Sequence, residues 1–208
     1  MAGLNGKALT YLITRGNLNE KNFSTESANT LEIIEAAVNA RITFIQIREK
    51  NIEARSVFEL ASKSIAIAKD TGTKIFVNER FDIALSAGVD GVHLTSRPIP
   101  IDRVRAMVPN DFIIGLSAHS LQQATNARDQ GADFATFSPI YSTATKAKYG
   151  EPQGIQKLRE VTEVLKPFPI IALGGINSKN YRDTLEAGAA GFAGISFFND
   201  PSNLRAIA

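Results

Sequence analysis

Polar side chains follow several apolar runs of this 208-residue chain at the point where each run ends. In the segment RITFIQIREK, Gln46, Arg48 and Lys50 occupy alternate positions and therefore share one face of an extended strand. Guanidinium and ammonium groups placed in this way bind phosphate and carboxylate anions. A solvated rim of positive charge, with no ligand, is the alternative interpretation.

Two histidines are the candidates for proton transfer near neutral pH. His93 lies inside the apolar run GVHL, which favours a hydrogen-bonded structural role. His119 follows Ser117 beyond the run FIIGLS, which favours a functional role. The chain contains no cysteine, so thiolate catalysis, disulfides and cysteine-ligated zinc are excluded.

The longest stretch without helical or strand periodicity is SPIYSTATKAKYGEPQG, residues 138–154. It combines hydroxyl side chains with two lysines and two tyrosines, a composition typical of a loop that covers an anionic ligand. A solvated surface connection has a similar composition. Together, Lys146, Arg48 and Lys50 would supply more positive charge than one monophosphate needs, which suggests a diphosphate or a phosphate plus a carboxylate.

An alternation of short strands and helices must position these residues. Strand patterns cover residues 8–13, 41–50, 74–78, 91–94, 112–117, 133–137, 169–173 and 191–195, and helical patterns cover 27–41, 52–70, a stretch from 81, 101–108, 121–130, 155–165 and 179–186. Gly88, Gly131 and Gly188 each follow a helix, as a left-handed cap does. The repeat predicts a single (β/α)8 TIM barrel, with residues 1–208 as one domain. A doubly wound open sheet is the alternative fold, but no glycine-rich dinucleotide fingerprint follows the first strand.

A barrel of this kind gathers its active site at the carboxyl ends of its strands. The polar residues at those ends are Gln46, Arg48, Lys50, Asn78, Glu79, His93, Thr95, Ser117, His119, Ser138 and Ser196. The segments LGGINS and GISFF follow strands seven and eight, where many barrels bind phosphate through backbone N–H groups. A tight turn is the simpler explanation of Gly174 and Gly175.

Charge and hydropathy exclude some classes of partner. The net charge is +2 without a dense basic cluster, so neither nucleic acid nor a membrane surface is expected as a partner. The N-terminal residues lack the pattern of a secretion signal, and no charge-free run reaches the roughly 18 residues that span a bilayer. A cytoplasmic location is therefore expected.

The motifs IQIREK, VNER, GVHL, GLSAHS, FSPIYSTATK, IIALGGI and GAAGFAGISFF, in this order, resemble the thiamine phosphate synthase and TenI (thiazole tautomerase) superfamily over nearly the whole chain. The resemblance implies a homodimeric enzyme of thiamine (vitamin B1) biosynthesis that binds a small phosphorylated thiazole. It implies that the thiazole phosphate is held by Gly174, Gly175, Ile195 and Ser196. In synthase-like members, it implies a pyrimidine diphosphate site formed by Gln46, Arg48, Lys50, Asn78, Ser117, Thr143, Thr145 and Lys146, with Mg²⁺ as cofactor.

Two segments depart from the synthase pattern. Glu79 stands where synthases usually have aspartate, and Ser96 and Arg97 stand where they usually have glutamine and an acidic residue. Glu79 can still bind Mg²⁺, whereas a cation at Arg97 would weaken metal binding. The segments HLTSRP, SAHS and KAKYGEPQG are more similar to TenI-type members. Those members aromatise a thiazole carboxylate phosphate by a proton shift that needs no metal, and the matching acid/base is His119.

The sequence therefore favours an isomerase, a thiazole tautomerase without a cofactor, whose catalytic residues are His119, Lys146 and Ser117. A transferase, thiamine phosphate synthase with Mg²⁺ at Glu79, is the close alternative. A non-catalytic regulator that binds thiazole phosphate or thiamine phosphate is the third hypothesis.

Overall fold

A computed structural model of the protein describes residues 8–95, 99–142 and 151–207, with side chains up to residue 204. Eight parallel strands close into a barrel in chain order, which confirms the predicted (β/α)8 fold. The strands are β1 Leu9–Ile13, β2 Phe44–Ile47, β3 Lys74–Asn78, β4 Gly91–Leu94, β5 Ile113–Ala118, β6 Phe134–Phe137, β7 Ile170–Leu173 and β8 Gly191–Gly194. The helices are α1 Phe23–Asn39, α2 Ala54–Ala68, α3 Phe81–Ala87, α4 Ile101–Met107, α5 Leu121–Asp129, α6 Gly154–Leu165, α7 Tyr181–Glu186 and α8 Pro201–Ile207.

The described residues pack as two compact units. The first unit comprises those within Met1–Thr10 and Leu94–Gly194, and the second comprises those within Tyr11–His93 and Ile195–Ala208. In the first unit β5 to β8 pair in parallel, with Ser117 opposite Thr136 in the register. In the second unit Gln46 lies opposite Phe76, and Asn78 opposite His93. That residues 1–208 behave as one domain stays a prediction.

The strands form because nearly all of their side chains are buried, as in sheets covered on both faces. In the second unit the rings of Tyr11, Phe44 and Phe76 pack together, with centroid distances of 5.6 Å from Tyr11 to Phe44 and 5.1 Å from Phe44 to Phe76. Among the described residues, no helix combines the length and apolar character that a membrane span needs.

The starts of two helices, and the presence of a third, differ from the sequence pattern. Helix α1 begins at Phe23, not Ser27, because Asn19 and Asn22 exchange side-chain-to-backbone hydrogen bonds that close a turn directly before it. Helix α7 begins at Tyr181 rather than Lys179. Helix α8 was not predicted. The glycine caps are confirmed, since Gly88, Gly131 and Gly188 have φ values of 67°, 93° and 88°.

In both units an aspartate directly before one strand forms hydrogen bonds with the start of the preceding strand. In the second unit the carboxylate of Asp90 accepts hydrogen bonds from the N–H of Ile75 and from Lys74 Nζ, both at 2.8 Å. In the first unit the carboxylate of Asp133 accepts a hydrogen bond from the N–H of Ile114 at 2.7 Å and pairs with Arg105. Each carboxylate therefore accepts a hydrogen bond from the N–H group of the second residue of the preceding strand and also pairs with a cation.

We expect Asp133→Ala to lower the free energy of unfolding by about 1–3 kcal/mol, because the Ile114 N–H loses its acceptor and Arg105 keeps only the carbonyl oxygens of Phe112 and Gly131. Urea denaturation measures the change. Asp129→Ala is the matched control, since its ion pair with Arg128 is exposed and contributes about 0–1 kcal/mol. Equal losses in the two variants would contradict the structural role of Asp133.

Candidate active site

The predicted site residues are divided between the two units. The second unit contains Gln46, Arg48, Lys50, Asn78, Glu79, Ile195 and Ser196, and the first contains Ser117, His119, Gly174 and Gly175. Thr143, Thr145 and Lys146, like Ser96 and Arg97, lie outside the described residues.

A chain of hydrogen bonds in the second unit links β1, β2, β3 and β4. The Tyr11 hydroxyl lies 3.1 Å from His93 Nδ1 and donates to Gln46 Oε1 at 3.3 Å. Gln46 Nε2 donates to Asn78 Oδ1 at 2.9 Å, and Asn78 Nδ2 donates to Glu79 Oε2 at 3.2 Å. The structure thus brings three predicted site residues together and adds Tyr11. Sequence reasoning missed Tyr11 because it lies within a run of apolar residues.

His93 is the structural histidine that the sequence predicts. Its side chain is buried, and burial lowers its pKa from 6.5 to about 3, with the positive charge of Arg48 as a second cause. The imidazole is therefore neutral near pH 7 and does not carry a proton between substrates there.

Two positive charges lie at the end of β2. Within the described residues neither Arg48 nor Lys50 forms an ion pair. The intervening Glu49 is buried and accepts hydrogen bonds from the N–H groups of Gly16 at 3.0 Å and Leu18 at 2.9 Å. Glu49 thus fixes the loop after β1 instead of neutralising its neighbours. Sequence reasoning missed this role, for which the only signal was an acidic residue flanked by two cations.

Lys50, Asn78 and Glu79 line one cavity of about 370 Å³. Arg80 also lines it, but its guanidinium donates two hydrogen bonds to Asp82, at 2.9 and 2.6 Å. No group of three or more His, Cys, Asp or Glu side chains suited to a metal occurs in the described ranges. Because Mg²⁺ is often bound by one or two carboxylates together with substrate phosphates, Glu79 fits a Mg²⁺ that a phosphorylated ligand largely holds.

The loop after β8 is anchored by Asn199. Its Nδ2 donates to the carbonyl oxygens of Ile13 at 2.8 Å and Ile195 at 2.6 Å, and its own carbonyl accepts from Arg15 at 2.9 Å. The N–H groups of Ile195 and Ser196 donate to no described residue. An anchored loop with free N–H groups is suited to bind an anion.

In the first unit, His119 is held in one tautomer. Its Nδ1 lies 2.7 Å from the Ser138 carbonyl oxygen, which can only accept, so Nδ1 carries the proton of the neutral ring. Its backbone N–H donates to Gln123 Oε1 at 2.7 Å. The lone pair of Nε2 is therefore the basic position of His119.

Close packing requires glycine at positions 174 and 175, whether or not a ligand binds there. Both have positive φ, and a Cβ atom would lie 2.8 Å from Pro139 Cα at the first position and 2.7 Å from Tyr141 Cβ at the second. Their N–H groups donate to no partner in the described part of the chain. Their identity is explained by packing, and phosphate binding by their N–H groups stays a prediction.

The fold and these polar strand ends define an enzyme of the (β/α)8-barrel class. A family model described as "Thiamine monophosphate synthase" matches residues 10–198. The chain belongs to the thiamine monophosphate synthase family.

Individual relatives agree with this family. A Geobacter sulfurreducens protein named "Putative thiamine-phosphate synthase" is 42% identical over 80% of this chain and 78% of its own length. A Clostridium novyi thiamine-phosphate synthase is 35% identical over 89% of this chain and 88% of its own. The solved structure of thiamine phosphate pyrophosphorylase from Pyrococcus furiosus superposes with a TM-score of 0.78 at 29% identity, covering 96% of this chain and 95% of that one.

These similarities confirm the predicted superfamily and the prediction of an enzyme, and of its two predicted classes they favour the transferase. They do not support the tautomerase that the sequence motifs favoured, because the relatives carry the name of the synthase. The alternative hypothesis is therefore the better supported one.

The burial of His93 predicts a pH dependence of stability. Below pH 6.5 the unfolded chain binds a proton at His93 that the folded protein does not take up until about pH 3, so stability falls as the pH decreases through this window. Between pH 6.5 and 5 the expected loss is about 2 kcal/mol. Urea denaturation at both pH values should show this loss in wild type and a smaller one in His93→Gln. Identical pH dependence in the two proteins would contradict a neutral buried His93.

Proposed function

We propose that the protein is a thiamine-phosphate synthase that joins hydroxymethylpyrimidine diphosphate to thiazole phosphate. The observation that carries the proposal is the end of β2, where Arg48 and Lys50 have no ion pair within the described residues. Gln46 and Asn78, on neighbouring strands, add side-chain N–H donors beside them. Free cations next to N–H donors suit a diphosphate better than they suit a neutral ligand. The names of the relatives support the same reaction.

The reaction calls for charge stabilisation more than for a base. The C–O bond between the pyrimidine methylene carbon and the diphosphate breaks, and its electron pair leaves with the diphosphate oxygen. The thiazole nitrogen supplies the electron pair of the new C–N bond, and no proton has to be removed from either substrate. Arg48 and Lys50 would stabilise the negative charge that develops on the leaving group.

Mg²⁺, when bound to the diphosphate, supplies further neutralisation of the leaving charge, and Glu79 is the described residue that would hold it. Asn78 donates to Glu79 Oε2 at 3.2 Å, which orients this carboxylate. Binding of the thiazole phosphate by Gly174, Gly175, Ile195 and Ser196 stays a prediction of the family resemblance. Thr143, Thr145 and Lys146 stay predicted ligands of the diphosphate, Ser117 stays a predicted site residue, and a cytoplasmic homodimer stays a prediction.

The thiazole tautomerase is retained as a second candidate because of His119. The hydrogen bond from Nδ1 to the Ser138 carbonyl leaves Nε2 as a base, which a proton shift requires. A non-catalytic regulator would bind the phosphorylated thiazole but would need neither His119 nor the cations of β2.

The His119→Ala variant separates the two enzymatic reactions. Purified wild type given the pyrimidine diphosphate, thiazole phosphate and Mg²⁺ should form thiamine phosphate, and His119→Ala should keep kcat within about threefold because no proton is transferred. A chromatographic assay of thiamine phosphate measures both. Isomerisation of thiazole carboxylate phosphate that His119→Ala abolishes, without thiamine phosphate formation by wild type, would instead establish the tautomerase. Binding of thiazole phosphate without turnover of either substrate set would establish the regulator.

Arg48→Gln should lower kcat/KM for the pyrimidine diphosphate by about 10- to 100-fold, since one charge-assisted interaction contributes roughly 1.5–3 kcal/mol. The matched control is Arg103→Gln, an exposed arginine of α4 whose contact with Asp102 is long, at 3.9 Å. Steady-state kinetics with saturating thiazole phosphate measures both variants. An unchanged kcat/KM in Arg48→Gln would remove Arg48 from the diphosphate site.

A further inference from the structure

The hydrogen-bonded chain from Glu79 to His93 has one consistent direction. The carboxylate of Glu79 can only accept, so the Asn78 atom at 3.2 Å from it must be the donor Nδ2. Asn78 therefore turns Oδ1 toward Gln46, and the Gln46 atom at 2.9 Å from this oxygen must be Nε2.

The direction of these hydrogen bonds also fixes the donors and acceptors in the barrel interior. With Nε2 committed to Asn78, Gln46 turns Oε1 toward Tyr11, and the hydroxyl of Tyr11 must donate to it at 3.3 Å. The single proton of that hydroxyl is then used. The contact of 3.1 Å between the Tyr11 oxygen and His93 Nδ1 therefore requires that Nδ1 carries the proton.

Burial makes any other direction of these hydrogen bonds energetically costly. Tyr11, Gln46 and His93 are 0%, 2% and 3% exposed, so a rotated amide would face an acceptor with an acceptor, without water to separate them. Asn78 is half-buried, and Glu79 is exposed. The chain thus begins in the closed interior and ends at the cavity that Lys50, Asn78 and Glu79 line.

We propose that Tyr11 is a positioning residue for the pyrimidine diphosphate, in that its hydroxyl holds the Gln46 carboxamide with Nε2 toward Asn78. This inference rests on the proposed synthase function. In this orientation Gln46 and Asn78 each keep a second amide proton that no described residue accepts. These protons are available to the anionic ligand, whereas a rotated Gln46 would present a carbonyl oxygen to the same negative charge.

The direction of the chain can be tested in the ligand-free wild-type protein. The chain contains two histidines, so His119→Ala assigns the ¹⁵N spectrum of histidine-labelled protein. At pH 7 the ring nitrogens of His93 should show the proton on Nδ1. A proton on Nε2 would mean that Tyr11 donates to His93, and the proposal would be wrong. This measurement needs no turnover, so it decides the Tyr11 proposal even where an assay finds no thiamine phosphate and the synthase function fails.

The kinetic test uses Tyr11→Phe, which keeps the ring contacts with Phe44 and Phe76 and removes only the hydroxyl. We expect KM for the pyrimidine diphosphate to rise about 3- to 10-fold, the equivalent of one neutral hydrogen bond, with kcat and KM for thiazole phosphate nearly unchanged. Ser64→Ala is the matched control, because it removes a buried hydroxyl of the same unit that donates to the Leu60 carbonyl in α2. It should leave all three constants unchanged.

A double-mutant cycle with Gln46→Leu shows whether Tyr11 acts through Gln46. The Tyr11→Phe, Gln46→Leu double variant should have the same KM for the pyrimidine diphosphate as Gln46→Leu alone. The positioning role would be overturned if the double variant raised KM by the product of the two single effects. An unchanged KM in Tyr11→Phe would overturn it as well.

Discussion

A polar side chain enclosed by parallel strands costs about 1–3 kcal/mol if it is left without a hydrogen bond. In the second unit this constraint joins four strands through Tyr11, Gln46, Asn78 and His93. Each member has a partner because another strand supplies one within hydrogen-bond distance, although Gln46, which donates to Asn78, lies opposite Phe76 in the register. The hydrogen bonds that stabilise the interior therefore also decide which amide atoms are presented where the strands end.

Electrostatics imposes a second condition on the same residues. The positive charge of Arg48 contributes to keeping His93 neutral, and no carboxylate of the described residues pairs with Arg48. The nearest acidic residue in the sequence is Glu49, and its two carboxylate oxygens accept hydrogen bonds from the N–H groups of Gly16 and Leu18. Glu49 thereby fixes the loop after β1 and does not neutralise Arg48 or Lys50. The result is positive charge at a strand end, which an anionic ligand can compensate.

The periodicity of the sequence was sufficient to predict the barrel and to identify candidate site residues, because burial on both faces makes each strand a short apolar run. Arg48, Lys50 and Asn78 were recognisable because they interrupt that pattern at its end. Tyr11 and Glu49 were not, because their roles depend on which residues lie opposite them in neighbouring strands and loops. The start of α1 depended likewise on a local Asn19–Asn22 turn that competes with the Ser27 cap.

The choice between isomerase and transferase depended on a few loop residues, and these were the weakest basis for a prediction. Arg97 and the segment KAKYGEPQG favoured the tautomerase, and Arg97 and residues 146–150 of that segment lie outside the described residues. The described part of the second unit instead offers uncompensated cations and N–H donors, together with a histidine kept neutral by burial. Cations and N–H donors stabilise a leaving anion, and the buried His93 does not carry a proton near pH 7. A reaction that needs no proton transfer therefore agrees better with the residues that the second unit places together.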